Sequence, residues 1–530
     1  MKGTILGFAL MAALAAVAQP PQNEYAFDNL RLSQTELRGT SRFQSMAGAF
    51  GALGGDISSL NQNPAGIGVY RSSDVGITLS LDFNQAVTPS LTEKQTRFNV
   101  NNVGYVGAVK FGDNNNFNWG ISYNRLMDFH RRYRGAGEIP TSITNYLAEK
   151  MMAKEIYADD ILVDDPFAKS SADWNHILAF NNYLVIPTNY EGSQFAGLGF
   201  DGVTALGEYD MDERGRVDEF AINFGGGIAN TLCWGIGLGI TDMKYEYNQY
   251  YGESLYGTEV YDAPDDPEAV LVDGDMDLGF TNWSQTKGTG YNLKLGVIVK
   301  PINELRFGVA FHTPTYYKLT DRFSQGLATA FYPQDAPEYQ LEDGTDIYRI
   351  DYDLRTPWRF IGSVATVIGS KAILSADYEY VATDNIRVKD EWEGNYNHFT
   401  ENRYTTDDVK AYLQGQHIIR LGGELRLTPN WSLRAGYSYQ TGAAKSDVKD
   451  DKVDVNVCGV STAYTYDNKT QYMTAGIGYR HNHFYFDMAY VHKYRNSNYH
   501  LFPGINDLPT VYDEVKDHNN RFSATIGFRF

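Results

Sequence analysis

The last ten residues, Arg521-Phe-Ser-Ala-Thr-Ile-Gly-Phe-Arg-Phe530, alternate between two kinds of side chain. The apolar set is Phe522, Ala524, Ile526, Phe528 and Phe530, and the polar or small set is Arg521, Ser523, Thr525, Gly527 and Arg529. Successive side chains of a β-strand point to opposite faces, so this period of two predicts a strand with one apolar and one polar face.

The same alternation recurs toward the amino end of the chain, beginning just after residue 72. Thirteen further stretches show it, at 75–83, 103–111, 117–123, 220–224, 234–240, 291–299, 305–311, 358–364, 372–380, 419–427, 431–439, 473–479 and 484–490. Together with the carboxyl-terminal stretch, the sequence predicts fourteen strands.

The connections between these stretches alternate strictly between short and long. Very short links at 113–115, 230–231, 301–303, 369–370, 428–430 and 481–483 separate long ones at 86–97, 130–215, 253–284, 324–350, 385–415, 442–468 and 495–518. An outer-membrane barrel has this asymmetry, with tight periplasmic turns and long outer loops. Because lipid cannot hydrogen-bond a sheet edge, such a sheet must close. We therefore predict an all-β fold, a transmembrane antiparallel up-and-down β-barrel of 14 strands. A soluble β-sandwich is the alternative, and it does not explain the short–long parity.

Composition narrows the class of protein further. The chain has 530 residues, a formal charge of −20, 39 tyrosines and 28 phenylalanines. Nucleic-acid binding needs clustered cations, so the negative balance argues against such a partner. Past residue 18 no apolar stretch is long enough for a membrane-spanning helix. Of the two cysteines, Cys233 falls at the short-turn end of a strand and Cys458 in a long loop, so no disulfide is expected.

The first eighteen residues have the pattern of a secretory signal peptide. Lys2 precedes an apolar run at 3–17, and Ala16-Val17-Ala18 is a small-x-small cleavage site. We expect cleavage near Ala18 and delivery of residues 19–530 to the outer membrane of a Gram-negative bacterium.

Residues 19–72 do not alternate and are expected to form a separate domain ahead of the barrel at 73–530. Residues 41–50 look helical, and the turn Asn61-Gln-Asn-Pro-Ala-Gly-Ile-Gly68 follows. Fourteen strands enclose more space than their own side chains fill. A compact segment of small residues before the first strand is therefore predicted to plug the lumen. The largest extracellular loop is expected at 130–215.

This arrangement resembles the FadL/TodX family of outer-membrane transporters for long-chain fatty acids and other hydrophobic compounds. The resemblance rests on Asn63-Pro-Ala-Gly66, the small-residue helix before it, fourteen strands and the terminal Phe530. It implies passive uptake of hydrophobic small molecules, with ligand held near an N-terminal hatch that moves to open a path, often sideways through the wall. Carried over to this chain, Asn63, Pro64, Ala65 and Gly66 are the expected gating turn. The chain is longer than typical members, and the excess lies in the loops.

Two groups of residues are candidates for contact with a ligand. Inward arginines could meet a carboxylate head group, the candidates being Arg306, Arg420, Arg426 and Arg434. The alternative is that these arginines balance lumen charges and anchor the plug. In the 130–215 loop, Met151 and Trp174 belong to two apolar helical stretches that either form a cleft for an acyl chain or pack on each other.

Other residues are candidates for contacts with the envelope. Arg131, Arg132 and Arg134 lie at the outer end of the third strand, where they could pair with lipopolysaccharide phosphates or simply be solvated. Phe528 and Phe530 are expected to form the carboxyl-terminal signal for the barrel-assembly machinery. We expect a monomer.

No sequence pattern indicates catalysis, a metal or a cofactor. Asp273-Gly-Asp-Met-Asp277 resembles a calcium loop, but Leu278 and Ser284 stand where glycine and glutamate are needed. His481 and His483 have no evident further ligands, and no G-x-S-x-G nucleophile motif occurs. The sequence therefore favours a transporter over an enzyme. The remaining alternatives are a non-transporting barrel that serves as a protein-binding shuttle or surface anchor, and a haem-binding receptor.

Overall fold

The computed structural model describes residues 25–111, 114–263, 269–369, 371–390, 400–401, 403–457 and 460–530. The expected signal peptide, its cleavage site near Ala18 and Cys458 lie outside the described residues. No helix in the described ranges is long and apolar enough to cross a membrane.

Strands dominate the chain. They are β1 (Asp74–Val87), β2 (Thr92–Phe111), β3 (Asn115–Asp128), β4 (Arg131–Glu138), β5 (Val185–Pro187), β6 (Phe195–Gly197), β7 (Thr204–Ile228), β8 (Leu232–Tyr261), β9 (Leu271–Val299), β10 (Leu305–His312), β11 (Tyr316–Pro333), β12 (Tyr339–Gly344), β13 (Tyr348–Arg355), β14 (Arg359–Ile368), β15 (Ala372–Val381), β16 (Arg387–Asp390), β17 (Thr400–Glu401), β18 (Gln416–Arg426), β19 (Trp431–Thr441), β20 (Tyr464–His481), β21 (Phe484–Phe502) and β22 (Val511–Arg529). The α-helices are α1 (Ala26–Leu32), α2 (Ser41–Ser45), α3 (Ser59–Gln62), α4 (Ile143–Ala153), α5 (Ala158–Ile161), α6 (Pro166–Lys169), α7 (Trp174–Asn181), α8 (Arg403–Tyr412) and α9 (Ser446–Lys449), and 3-10 helices lie at Pro64–Val69 and Thr383–Asn385.

The sheet closes on itself as an antiparallel barrel. The first strand, β1, pairs with the last, β22, from Asp74↔Arg529 to Val87↔Lys516. Four of the fourteen wall positions consist of two consecutive segments each, namely β3 with β4, β10 with β11, β13 with β14, and β15 with β16. The prediction of a 14-stranded up-and-down barrel is confirmed.

The two faces of the wall differ as the alternation predicts. Along β1, the outward side chains of Val75, Ile77 and Leu81 are 40%, 42% and 45% exposed, whereas the inward Asp74 and Asp82 are fully buried. The same pattern runs along β22. A continuous exposed band of aliphatic and aromatic side chains is stable only against lipid, so this band is the membrane-facing surface.

The strands extend well beyond the apolar band. β8 has 30 residues and β9 has 29, and they stay paired as far as Tyr261↔Leu271. Most of 253–284, which we expected to be a long loop, is therefore sheet. Beyond the lipid both faces of a strand meet water or protein, so the hydrophobic alternation ends while the backbone pairing continues.

A helical cap, defined as residues 139–203, closes the long-loop end of the barrel. Its helices α4 and α7 share one hydrophobic core with the strand extensions. Trp174 contacts Phe323 and Tyr348 with ring centroids 5.4 and 4.7 Å apart, and Tyr146 stacks on Phe502 at 5.6 Å. The apolar faces of this loop thus pack on each other and on the wall.

Glu253 of β8 fastens the cap to the wall. The Ser142 hydroxyl, the Ile143 N–H and the Tyr251 hydroxyl all donate to its carboxylate, at 2.5, 2.7 and 2.5 Å. Ser142 is the N-cap residue of α4 and Ile143 is its first residue, and backbone N–H groups at the start of a helix need acceptors. Glu253 is 3% exposed, and this burial raises the pKa of its carboxyl group to about 7.

We expect the cap to loosen as pH rises through 7. A carboxyl group whose pKa is higher in the folded than in the unfolded state binds more protons when folded, so stability falls between the two pKa values as pH rises. At pH 8 the opening free energy of α4 should be about 2–3 kcal/mol lower than at pH 5. Hydrogen exchange of the α4 amides, corrected for intrinsic rates, measures this difference. Glu253→Gln should abolish it, and an unchanged pH dependence in that variant would contradict the assignment.

Two neighbouring strands of the barrel wall are each interrupted, at the same level along the barrel axis. Residues 313–315 separate β10 from β11, and residues 356–358 separate β13 from β14. Each gap contains a proline, Pro314 or Pro357, and proline cannot donate a hydrogen bond to a neighbouring strand. The two gaps face each other and are joined by hydrogen bonds. One of these runs from Thr356 N–H to Thr315 O, at 3.1 Å.

Candidate functional site

Residues 25–72, called the plug below, occupy the lumen. Their polar groups bond to inward side chains of the wall: Ser41 N–H donates to Thr525 Oγ1 at 2.7 Å, and the Gln62 amide donates to Asp377 at 2.9 Å. The helix expected at 41–50 is only α2, capped by the Thr40 hydroxyl, because Ala47 and Gly48 have positive φ and end it.

Asn63 ties three parts of the structure together. Its Oδ1 accepts from Ala65 N–H at 3.0 Å, which caps the 3-10 helix that Pro64 opens. Its Nδ2 donates to Gly51 O at 2.6 Å and lies 3.5 Å from the carbonyls of Val297 and Val309. Asn63 is 1% exposed, so Ala65 N–H and Gly51 O would lose these buried hydrogen bonds without it.

Glycines of the wall let this turn lie directly against the sheet. A Cβ at Gly235 would lie 2.2 Å from Pro64 O, and one at Gly296 would lie 1.9 Å from Asn63 Oδ1. A Cβ at Gly308 would lie 2.2 Å from Gly51 O. No larger residue fits at these positions without moving the plug.

A buried ionic network joins the opposite side of the plug to the wall. Arg38 of the plug and Arg521 of β22 both donate to Asp82 of β1, at 3.2 and 2.6 Å. Arg38 also donates to Glu36 at 2.8 Å, and Lys493 pairs with Glu36. Arg521 further donates to Leu37 O at 2.6 Å. The network therefore holds the backbone of the plug as well as its side chains.

A cavity of about 160 Å³ lies between the plug and the wall. Its apolar lining includes Leu37, Phe43, Tyr317, Ile361 and Ile418, and its charged lining includes Glu219, Lys294, Arg359, Glu379 and Arg420. Thr313, Thr315, Thr356 and Pro357 also line it, so it reaches the paired interruptions of the wall.

Arg420 is the predicted ligand arginine that faces this cavity. Its Nη2 donates to Glu379 at 2.6 Å, while its Nη1 is buried and has no hydrogen-bond partner in the described structure. The cavity thus combines apolar walls with one unused cationic donor, which suits an amphiphile with a small anionic head group.

The structure does not bring the other predicted ligand residues to this cavity. Arg434 is paired with Glu424 and Asp487 at 2.7 and 2.6 Å, and Arg306 donates to Leu53 O of the plug at 3.0 Å. Arg306, Arg426 and Arg434 line a separate cavity at the short-turn end. Met151 and Trp174 are buried in the core of the cap, 0% and 1% exposed.

The residues predicted to contact the outer envelope also lie in different environments. Arg131 points into the barrel and pairs with Asp517 at 2.8 Å, so the expectation that it contacts lipopolysaccharide is wrong. Arg132 and Arg134 are partly exposed and both lie near Asp210. Phe528 and Phe530 face outward, 45% and 56% exposed.

The sequence did not reveal the ionic network or the glycine contacts. Alternation placed Arg521 on the inner face, but its partner Asp82 lies 439 residues away and carried no motif. Gly296 and Gly308 were visible as glycines without any sign of what approaches them.

No family model matches the sequence, and no curated protein matches it. Among solved structures, a Pseudomonas aeruginosa FadL homologue aligns with a TM-score of 0.50 at 12% identity, covering 94% of this chain and 100% of that chain. The Pseudomonas putida toluene transporter TodX has a TM-score of 0.46 at 11% identity, covering 94% and 99%. The Ralstonia pickettii toluene transporter TbuX has 0.43 at 12%, covering 94% and 100%. The chain therefore has the fold of the FadL homologue, a closed fourteen-stranded barrel.

Proposed function

We propose that this protein passes hydrophobic small molecules, such as long-chain fatty acids, passively across the outer membrane of a Gram-negative bacterium, with the plug as the gate. The observation that carries the proposal is the Asn63 turn, a buried hydrogen-bonded lock that seats the plug on a glycine-lined wall. The fold shared with the FadL homologue supports the same conclusion.

The size of the cavity supports a plug that moves during transport. A cavity of about 150 Å³ is large enough to bind benzene. The 160 Å³ cavity therefore admits a ring-sized molecule as it stands, whereas a long acyl chain needs more room. Each methylene that leaves water contributes about 0.8 kcal/mol, which provides the driving force for displacing the plug. In this scheme, Arg420 Nη1 receives the carboxylate.

We propose that the solute leaves sideways through the paired wall interruptions. The cavity is lined there by Thr313, Thr315, Thr356 and Pro357, and proline weakens the pairing on both sides. Outside this point lies the lipid-facing band, so an apolar solute need not cross water to leave.

A reversible cross-link across the interruption should block this exit. Thr315 and Thr356 face each other and form two hydrogen bonds. Thr315 N–H donates to Thr356 Oγ1 at 2.8 Å, and Thr356 N–H donates to Thr315 O at 3.1 Å. Cysteines at facing positions of this kind lie within disulfide reach. Oxidised Thr315→Cys/Thr356→Cys should lose most uptake and regain it on reduction. The two single cysteine variants are the controls, and full uptake by the oxidised pair would rule this exit out.

Uptake by cells tests the function itself. A Gram-negative host that lacks its own long-chain fatty-acid transporter would express this protein and receive radiolabelled oleate or toluene. We expect uptake of at least one compound above the empty-vector level. The control variant is Trp431→Ala, a change on the outer face of β19 that leaves the plug contacts and the wall interruptions intact, and barrel folding is checked by heat-modified gel mobility. A folded barrel that admits neither compound, and instead retains a stoichiometric protein partner in pull-downs or shifts the Soret band of hemin, would overturn the proposal.

A further inference from the structure

A second cavity, of about 340 Å³, lies at the short-turn end of the barrel, beneath the plug. We call it the arginine basin. Seven arginines line it, against two carboxylates, Glu424 and Asp487; the arginines are Arg42, Arg71, Arg306, Arg426, Arg434, Arg480 and Arg529. This excess of positive charge is unexpected in a chain of net charge −20.

Ion pairs neutralise only part of the basin. Arg42 and Arg434 share Glu424, and Arg434 also pairs with Asp487. Arg529 pairs with Asp74 of β1 at 2.9 Å. These three arginines hold the plug and the ends of the strands, so they have a structural role already.

The other arginines are not neutralised by carboxylates. Arg71 is held by hydrogen bonds to neutral groups. Arg306, Arg426 and Arg480 form no ion pair with any described residue, the ion pairs of the basin being those of Arg42, Arg434 and Arg529. Arg306 donates from Nη1 to Leu53 O, but its Nε is buried without a partner. Burying such a donor is costly unless an acceptor is supplied. The basin therefore offers donors and positive charge that the chain does not itself use.

The rest of the lining mixes apolar and aromatic side chains with glycines and small polar residues. Leu53 and Val69 come from the plug, and Ile373, Tyr479 and Tyr485 come from the wall. A volume of 340 Å³ falls in the range of small-molecule sites. The basin is thus large enough for an oxyanion together with several attached carbons.

We infer that the arginine basin binds the oxyanion head group, carboxylate or phosphate, of an amphiphile on the short-turn side of the plug. Guanidinium groups match both oxyanions with paired, charge-assisted hydrogen bonds. Arg306 and Arg426, which the sequence suggested as head-group ligands, act here together with Arg480, and Arg420 belongs to the other cavity. The site goes beyond the proposed transport function and does not depend on it.

Calorimetry on the full-length protein in neutral detergent tests this inference. The probes are hexyl phosphate, hexanoate, inorganic phosphate and hexanol, all short enough to stay in solution. Wild type should bind hexyl phosphate and hexanoate but not hexanol. Each of Arg306→Gln, Arg426→Gln and Arg480→Gln should weaken binding roughly tenfold, and added salt should weaken it in wild type. Arg349→Gln, an exposed change near the cap end, is the matched control.

The outcomes separate the sources of the anion. Binding of hexyl phosphate well above that of inorganic phosphate assigns the basin to an amphiphile, whereas equal binding assigns it to free phosphate and overturns the amphiphile part. The inference fails altogether if wild type binds none of the anions, or if all three arginine variants bind like wild type. Since the readout is binding rather than uptake, loss of transport in cells does not bear on this result.

Discussion

Asn63→Ala should convert the closed barrel into a leaky one. The change removes the acceptor for Ala65 N–H and the donor to Gly51 O, both of which are buried. An unsatisfied buried polar group costs about 1–3 kcal/mol, and loss of a helix cap costs about 1 kcal/mol. A total of about 3 kcal/mol would raise the population of the displaced plug roughly a hundredfold.

Planar-bilayer recordings measure this effect directly. Wild type should show rare or no ion conductance, and Asn63→Ala should show frequent openings. In cells, the same variant should increase sensitivity to large antibiotics that the outer membrane normally excludes. Asn248→Ala is the matched control, because it makes the same change on an exposed extension of β8. Equal conductance for wild type and Asn63→Ala would show that this turn does not hold the plug.

The sequence predicted the barrel because lipid imposes a simple rule on it. Phe522 and Ile526 face the membrane and Arg521 faces the lumen. Apolar and polar side chains therefore alternate along each strand where it crosses the lipid. Outside the lipid both faces of a strand meet water or protein, so the hydrophobic alternation is lost there. For this reason the sequence predicted a loop at 253–284, where the structure has sheet. The proline interruptions at Pro314 and Pro357 were likewise unrecognised, since their pairing across two strands is visible only after the register is known.

The candidate site was predictable only where a motif marks it. Asn63-Pro-Ala-Gly66 is local, so its turn and cap follow from neighbouring residues. The contacts that seat it come from strands more than 200 residues away, such as the carbonyls of Val297 and Val309. The sequence correctly placed the four predicted arginines on the inner face, but their different positions along the strands divide them between two cavities. Which partner each arginine takes depends on strand register, and composition does not encode it.

The largest loss of stability should come from Asp82→Ala. Asp82 accepts from Arg38, Arg521 and Asn99 at 3.2, 2.6 and 2.6 Å, and it is 0% exposed. Removing it leaves the buried Arg521 with Glu36 as its remaining ion-pair partner in the described structure, while Arg38 keeps Glu36 and Asp128. Breaking a buried pair in this way costs about 3–5 kcal/mol.

Urea unfolding in lipid vesicles, followed by tryptophan fluorescence, measures that cost. Asp351→Ala is the matched control, since Asp351 also pairs with an arginine, Arg349, but the two side chains are 45% and 64% exposed. An exposed pair contributes about 0–1 kcal/mol, so the control should unfold close to wild type. If both variants unfolded alike, the network around Asp82 would contribute no net stability, and the plug would be held by the Asn63 turn, by its other polar contacts with the wall and by packing. A large difference instead places the main anchor of the plug on β1 and β22, where the barrel closes. The part of the plug at the Asn63 turn could then move while the plug as a whole stays attached to the barrel.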